Sequence, residues 1–255
     1  MRKIRLGIIL GLMAVFLCHA ISTRELLSSF FENQKKLKSL KARLVVEMKR
    51  GENYNYMKME YVRKGKKVFI RARPPFSFVM VSDGKKAHFY SKRDKTVWFY
   101  FPGQYKGELE DPQQKKQELL KDVPDLEKVA DKYLGWKKVS VYEGQPTEVN
   151  EFVSKFRIWV DPDNNFLYRI ESFDLHGDMV SRMDFKKYRL INGVWLNLLT
   201  HSWNKTEKEV IESFSEFIDL TVNSEVDDRI FDFTIPEGVK VKDLTKKIIE
   251  EGKKQ

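Results

Sequence analysis

Cysteine is almost missing from this 255-residue chain: Cys18 is the only one, so no intramolecular disulfide can form and cysteine-built zinc or iron–sulfur sites are excluded. Glycine (13) and proline (8) are sparse beside 42% hydrophobic and 13% aromatic residues, which excludes collagen-like, low-complexity and disordered classes. After Leu17 no apolar run approaches the ~20 residues of a membrane-spanning helix, so the mature protein is expected to be soluble. Acidic charge is in deficit, 37 residues against 47 basic ones, for a net charge of +10. Residues 1–20 contribute Arg2, Lys3 and Arg5 and no acid, so residues 21–255 hold 44 basic against 37 acidic residues, or +7. One domain of this length can bury a substantial core.

What is present begins with a leader. Met1–Arg5 is basic, Leu6–Leu17 is apolar, and Cys18-His19-Ala20 has small residues at its first and third positions. That order predicts a secretory signal peptide over residues 1–20, cleaved after Ala20. Lipidation of Cys18 is the alternative; it calls for a small residue before the cysteine, where this chain has Leu17. The expected address is a bacterial periplasm. No aromatic–basic RNA signature is present, so no nucleic-acid partner is expected. The cluster Arg63, Lys64, Lys66, Lys67, Arg71, Arg73 reads as a solvated face, or alternatively as one drawn to anionic headgroups.

Periodicity gives the organisation. Ser22-Thr23-Arg24-Glu25 has the form of a capping box opening a helix through Leu26, Leu27, Phe30, Phe31, Gln34 and Leu37. From Ala42 the period falls to two, and strands follow to Phe101, with Pro74-Pro75 and Ser82-Asp83-Gly84 as breaks. Asp111-Pro112 and Pro124 each read as helix starts, the second running to Gly135. Strands then resume at Val139–Tyr142, Glu148–Val153, Lys155–Val160, Leu167–Asp174, Ser181–Leu190, Trp195–Trp203 and Ile211–Leu220. The expected fold is mainly β with helices: a single domain over 21–255, one curved antiparallel sheet of about 10–12 strands, and a charged tail from about 242.

Chemistry-bearing motifs are missing. There is no G-x-S-x-G, phosphate loop, dinucleotide fingerprint or H-E-x-x-H, and His88, His176 and His201 come with no located nucleophile. The expectation is no catalysis, no metal and no cofactor; a hydrolase pairing one histidine with Asp83 or Asp174 is the rival. Large apolar side chains concentrate in neighbouring strands: Met57, Met59, Tyr61, Phe76, Phe78, Met80, Trp98, Tyr100 and Phe101. They form either an ordinary core or the lining of an adaptable acyl-chain pocket, and composition leaves both open.

Three stretches carry a family resemblance. Val81-Ser82-Asp83-Gly84-Lys85 with Phe89-Tyr90 is similar to a V-S-D-G-K…F-Y strand–turn–strand. Phe233-Thr234-Ile235-Pro236-Glu237-Gly238-Val239-Lys240-Val241 resembles an F-x-P-P-x-G-V-x-V ending, and Phe156–Val160, a D-P-x-x-N turn and Ile170–Phe173 fit long central hairpins. Together with Leu37-Lys38-Ser39-Leu40 before the first strand, these resemble the periplasmic outer-membrane lipoprotein carriers, the LolA family, over nearly all of residues 22–242. The resemblance implies an unclosed β-barrel covered by an N-terminal helix and a mid-chain helical lid around a hydrophobic cavity. It implies a monomer that takes acylated lipoprotein or lipid cargo from an inner-membrane ABC transporter and passes it to an outer-membrane acceptor. It places cargo against Leu27, Phe30, Phe31, Met57, Met59, Tyr61, Val68, Ile70, Phe78, Met80, Tyr90, Trp98, Tyr100, Phe156 and Ile158. The family's lid-latching arginine lies in a K-R-P stretch; here Arg63-Lys64-Gly65 puts Lys64 in its place, without the planar fork of a guanidinium. A lipid-sensing or partner-binding regulator on the same fold is the second reading.

Overall fold

The computed structural model describes residues 21–22, 28–101, 125–146, 153–164, 166–206 and 209–244. The polar–apolar alternation of the sequence forms β1 (Ile21–Ser22), β2 (Ser39–Arg50), β3 (Asn53–Lys64), β4 (Lys67–Ala72), β5 (Phe78–Ser82), β6 (Ala87–Ser91) and β7 (Thr96–Tyr100). Then come β8 (Asp125–Leu134), β9 (Lys137–Gly144), β10 (Lys155–Val160), β11 (Leu167–Phe173), β12 (Met179–Ile191), β13 (Val194–Lys205), β14 (Val210–Val222) and β15 (Lys240–Asp243). They make one curved, open sheet in the order β1-β8-β9-β10-β11-β12-β13-β14-β2-β3-β4-β5-β6-β7-β15. Thus two antiparallel meanders, β2–β7 and β8–β14, are joined by the β14–β2 pair, and only β15 pairs in parallel, along β7.

Short turns set the register. β12 and β13 are linked by Asn192-Gly193, both at positive φ (48° and 74°), which is the backbone a two-residue hairpin of matching twist requires. In the β5–β6 turn, Asp83 Oδ1 accepts the Lys85 and Lys86 N–H groups at 2.7 Å each. Gly84 in that turn has φ +88°, and a Cβ there would meet Lys66 Cβ at 2.9 Å.

Some expectations change. Ile21 and Ser22 form a strand pair with Leu126 and Asp125 of β8; the described helix α1 is Ser28–Lys35, and the rest of the expected capping box lies outside the described residues. The segment after Pro124 is not helical but strand β8. Its pairing steps from Lys128↔Tyr142 to Ala130↔Val141, so Val129 is an extra, bulged residue. That insertion sets Leu126 on the Tyr61 face and Ala130 and Leu134 on the other, so the apolar positions of β8 follow no single alternation. Among the described residues the strands number fifteen, more than the sequence alone suggests, and part of the increase comes from β8 and from Lys240–Asp243, the start of the tail, which forms β15. The Asp111-Pro112 helix, most of the Glu148–Val153 strand and the rest of the tail lie outside the described residues. No helix among the described residues is long and apolar enough to cross a membrane.

Residues paired directly across strands share a face. One face is that of Tyr61. Its larger cluster joins Leu40, Ala42, Leu44, Met59, Tyr61, Val68, Ile70, Met80, Leu196, Leu198 and Phe217. Register carries this face across the other meander through Met57↔Val46, Val46↔Ser215, Ser215↔Thr200 and Thr200↔Phe185. Phe185 opens a second cluster there with Phe156, Ile158, Leu167 and Ile170.

The opposite face is that of Phe69, and the chain after β14 straps over half of it. Val226, Phe231 and Phe233 pack on Val62, Phe69 and Val81, around a single 3₁₀ turn at Asp228–Phe231. Phe233 stacks on His88 with centroids 4.8 Å apart. Two of the family-like motifs, the Asp-Gly turn and the C-terminal ending, therefore meet in space. Lys64 and Lys67 hold the strap through Asp228 at 2.6 and 2.8 Å, and Lys64 also donates to the Val226 carbonyl at 3.3 Å.

Phe231 is the largest apolar side chain that the strap buries. Replacing it with alanine is expected to lower unfolding stability by about 3 kcal/mol, read from denaturant midpoints at unchanged slope. The hydrogen bonds from Lys64 and Lys67 hold the Asp228 carboxyl below its ordinary range, and those from Arg229 hold Asp227 down at about 2. Both folded values lie below the unfolded ones, so their stabilisation is complete above about pH 4 and fades as pH falls toward 2. Asp228→Asn should therefore reduce stability at pH 7 and flatten the pH dependence between 4 and 2 relative to the parent protein.

Candidate functional site

The Tyr61 face offers the chemistry of interest. One row crosses five adjacent strands, from Tyr61 to Ile70, Met80, Phe89 and Trp98, each residue directly opposite the next. Short strands and tight turns force these side chains side by side. Phe89 sits between Phe78 and Trp98, with centroids 4.9 and 5.7 Å away, and Tyr61 meets Phe217 edge-on at 5.2 Å. The Tyr100 hydroxyl donates to the Met80 sulfur at 3.8 Å.

Burial is graded along the row. Tyr61, Ile70 and Met80 are buried, whereas Phe89 and Trp98 in the row, and Met57 and Phe78 beside it, are half-buried although large and apolar. The half-buried members leave part of their apolar surface open, and Met57 among them has a polarizable side chain free to adapt to an irregular apolar ligand. Between the two clusters of this face run small hydroxyls: Ser202 and Ser213 lie 2.7 Å apart and share a hydrogen bond.

The residues anticipated as cargo contacts divide as follows. Met57, Met59, Tyr61, Val68, Ile70, Phe78 and Met80 gather in or on the larger cluster, and Trp98 and Tyr100 extend it across β7. Phe156 and Ile158 share the face but belong to the second cluster, beyond the hydroxyls. Tyr90 does not belong to this surface. Strand alternation turns it to the side of Val79 and Val97, its register partners, and Phe89 takes its place. Leu27 lies outside the described residues; Phe30 and Phe31 fall in α1, and their side chains lie outside them too. Lys64 is engaged by Asp228 and the Val226 carbonyl, so the position compared with a lid latch holds the C-terminal strap. Sequence reading missed Phe89, Phe217, Met183 and Phe185; the last two were legible in the alternation of β12, whereas Phe89 and Tyr90 are both aromatic and only the register separates them.

Over β9–β14 the paired charges lie on the opposite face, whereas register sets Arg63 on the Tyr61 face, opposite Leu40 and Val68. Arg157 bonds Glu143 at 2.7 and 2.5 Å and approaches Glu171 at 3.4 Å; Arg169 bonds Asp184 at 2.5 Å. Burial works against ionisation at Glu143, yet the Arg157 hydrogen bonds, with Lys155 beside them, hold its carboxyl below the usual range. His201 closes the ladder, with Nε2 2.7 Å from Glu212 and Nδ1 3.6 Å from Asp184, its ring stacked on Phe214. His88 is partly buried, which pushes its imidazole below the ordinary value.

A family model described as an uncharacterized protein matches residues 83–234, more than half of the chain. No curated protein matches significantly. Among solved structures, a DUF1329 family protein from Desulfovibrio piger ATCC 29098 aligns at 14% identity and TM-score 0.60, over 82% of this chain and 97% of its own. A protein domain from Vibrio parahaemolyticus named for outer membrane lipoprotein sorting aligns at 15% identity and TM-score 0.57, over 81% and 95%. A LolA superfamily protein from Nitrosomonas europaea aligns at 12% identity and TM-score 0.57, over 84% and 99%. At these identities the likeness is one of fold. The chain belongs to the family of uncharacterized proteins whose model spans residues 83–234, and its open, curved sheet is LolA-like.

Proposed function

We propose that this protein is a periplasmic carrier that shields the acyl chains of lipoproteins or related lipids on the Tyr61 face and moves them from the inner to the outer membrane. The observation that carries the reading is the set of half-buried side chains Met57, Phe78, Phe89 and Trp98 beside a buried apolar cluster, on one face of an open sheet. Each methylene taken from water onto such a surface gains ~0.8 kcal/mol, so acyl chains bind without any specific polar contact. The same physics explains the need for a carrier: free acyl chains in water aggregate.

The fold relatives support the direction of this reading, since one is named for outer membrane lipoprotein sorting. On this reading the protein acts as a monomer, without catalysis or cofactor, takes cargo from an inner-membrane ABC transporter and yields it to an outer-membrane acceptor. The leader-like residues 1–20 fit export to that compartment. The rival hydrolase draws no support from the histidines, because His201 is bonded by carboxylates and His88 is stacked on Phe233.

Native mass spectrometry of protein recovered from a bacterial periplasm without detergent is expected to show adducts at lipid or acylated-peptide masses. Ile70→Glu and the milder, more exposed Met57→Glu put a carboxylate on this face. Each should weaken uptake of a fluorescent fatty acid by about tenfold or more, because a charge beside an acyl chain is poorly solvated. A folded Met57→Glu protein that binds the probe as the parent does would remove the site from the Tyr61 face.

A further inference from the structure

The two most exposed of the described large hydrophobic residues share one turn. At the β8–β9 tip Trp136 is 85% exposed and Tyr133 72%. The hairpin beneath is firmly seated: Val139 and Val141 are fully buried, Leu134 packs on their cluster, and the pairs run in step from Ala130↔Val141 to Leu134↔Lys137. The exposure therefore belongs to an anchored element.

Charge at the tip is mainly basic, with Asp131, bonded to Lys128 and Ser140, the nearest acid along β8. Lys132, Lys137 and Lys138 flank the two rings, and no acidic residue occurs from 132 to 142. The Lys137 ammonium stands 5.3 Å from the Trp136 centroid and donates to the Tyr168 hydroxyl at 2.5 Å, which fixes its stem. On the same edge of the sheet, the β10–β11 turn brings Asp161 and Asp163. The Asp161 carboxylate is occupied there by the N–H groups of Asp163 and Asn164. The β12–β13 turn, also on this edge, presents Leu190 at 55% and Trp195 at 37% exposure.

Indole and phenol rings favour the boundary between water and acyl chains, where an apolar body and a polar tip are both satisfied. Lysines beside them are drawn to anionic headgroups. We propose that the β8–β9 tip is a membrane-docking element, seating Trp136 and Tyr133 among the headgroups of an anionic phospholipid bilayer with Lys132, Lys137 and Lys138 against the phosphates. The occupant is a bilayer rather than a protein because the tip combines protruding aromatic rings with a local excess of basic charge on a narrow turn. Docking of this kind approaches the bilayer end-on and leaves the Tyr61 face uncovered. It does not depend on that face carrying lipid.

The test is flotation of protein recovered from a bacterial periplasm, with intact mass recording its N-terminus, on vesicles containing phosphatidylglycerol and on pure phosphatidylcholine vesicles. The parent protein is expected to float with the anionic vesicles and far less with the zwitterionic ones. The double change Trp136→Ser, Tyr133→Ser should cut partitioning by about tenfold or more, with the circular dichroism spectrum unchanged. Lys132→Gln and Lys138→Gln should cost about fivefold each at low salt and little at high salt. Met57→Glu should float as the parent does, which separates docking from cargo binding. Flotation unaffected by the double change overturns the proposal, as does loss of flotation in Met57→Glu alone, which would assign the association to the Tyr61 face. A parent protein that floats with neither vesicle also overturns it. If that protein self-associates in sedimentation, and the double change abolishes the self-association, the tip belongs to a second copy of the chain.

Discussion

The pairing of β14 with β2 is the constraint on which everything else rests. Each meander is assembled from short-range hairpins, but this pair unites residues more than 160 positions apart, from Ile211↔Arg50 to Val222↔Leu40. Ordering so long a loop is costly in entropy, and hydrogen bonds alone do not offset it. Apolar burial does: Phe217 lies opposite Leu44 and against Tyr61, at the centre of the larger cluster. The Asn223 side chain then clips the junction, accepting the Lys38 N–H at 2.8 Å and donating to the Lys36 carbonyl at 3.0 Å. Without this join the Tyr61 face would be two unrelated half-surfaces.

A sheet with one apolar face must still settle the other. Here it is divided. Over β3–β6 the C-terminal strap covers Val62, Phe69 and Val81, so the sheet is sandwiched between its own apolar face and its own tail. Over β9–β14 arginines and carboxylates alternate across strands, with Asp184 and Glu171 almost fully buried yet each bonded to arginine. Buried charges are tolerable only when paired in this way. The apolar side chains are thereby concentrated on the Tyr61 face, with half-buried methionine and aromatic groups among them.

The strands were legible because alternation is a local property of the chain. β2, β3, β10 and β11 fall close to where period two places them. Failure came at β8, where Leu126, Ala130 and Leu134 stand four apart, a spacing that a helix face and a strand share, and Val129 is bulged. At the chain's start, Ser22 pairs with Asp125, about a hundred residues away, a partner that no local pattern announces. Within the site, β6 reads Ala-His-Phe-Tyr-Ser, with aromatic residues on both faces. Choosing Phe89 over Tyr90 needs the register with β5 and β7.

From its sequence alone this protein was determined to be mainly β, largely meandering, without an intramolecular disulfide, and rich in methionine and aromatic residues between Met57 and Tyr100. These follow from composition and from periods of a few residues. Only the tertiary structure decided that the two meanders join into one face and that Lys64 grips the C-terminal strap. It alone showed that the Asp-Gly turn and the Phe233 ending meet around His88, and that Trp136 and Tyr133 stand bare at an anchored tip. Each of these is a relation between residues far apart in the chain, set by register and packing, and no local pattern encodes it.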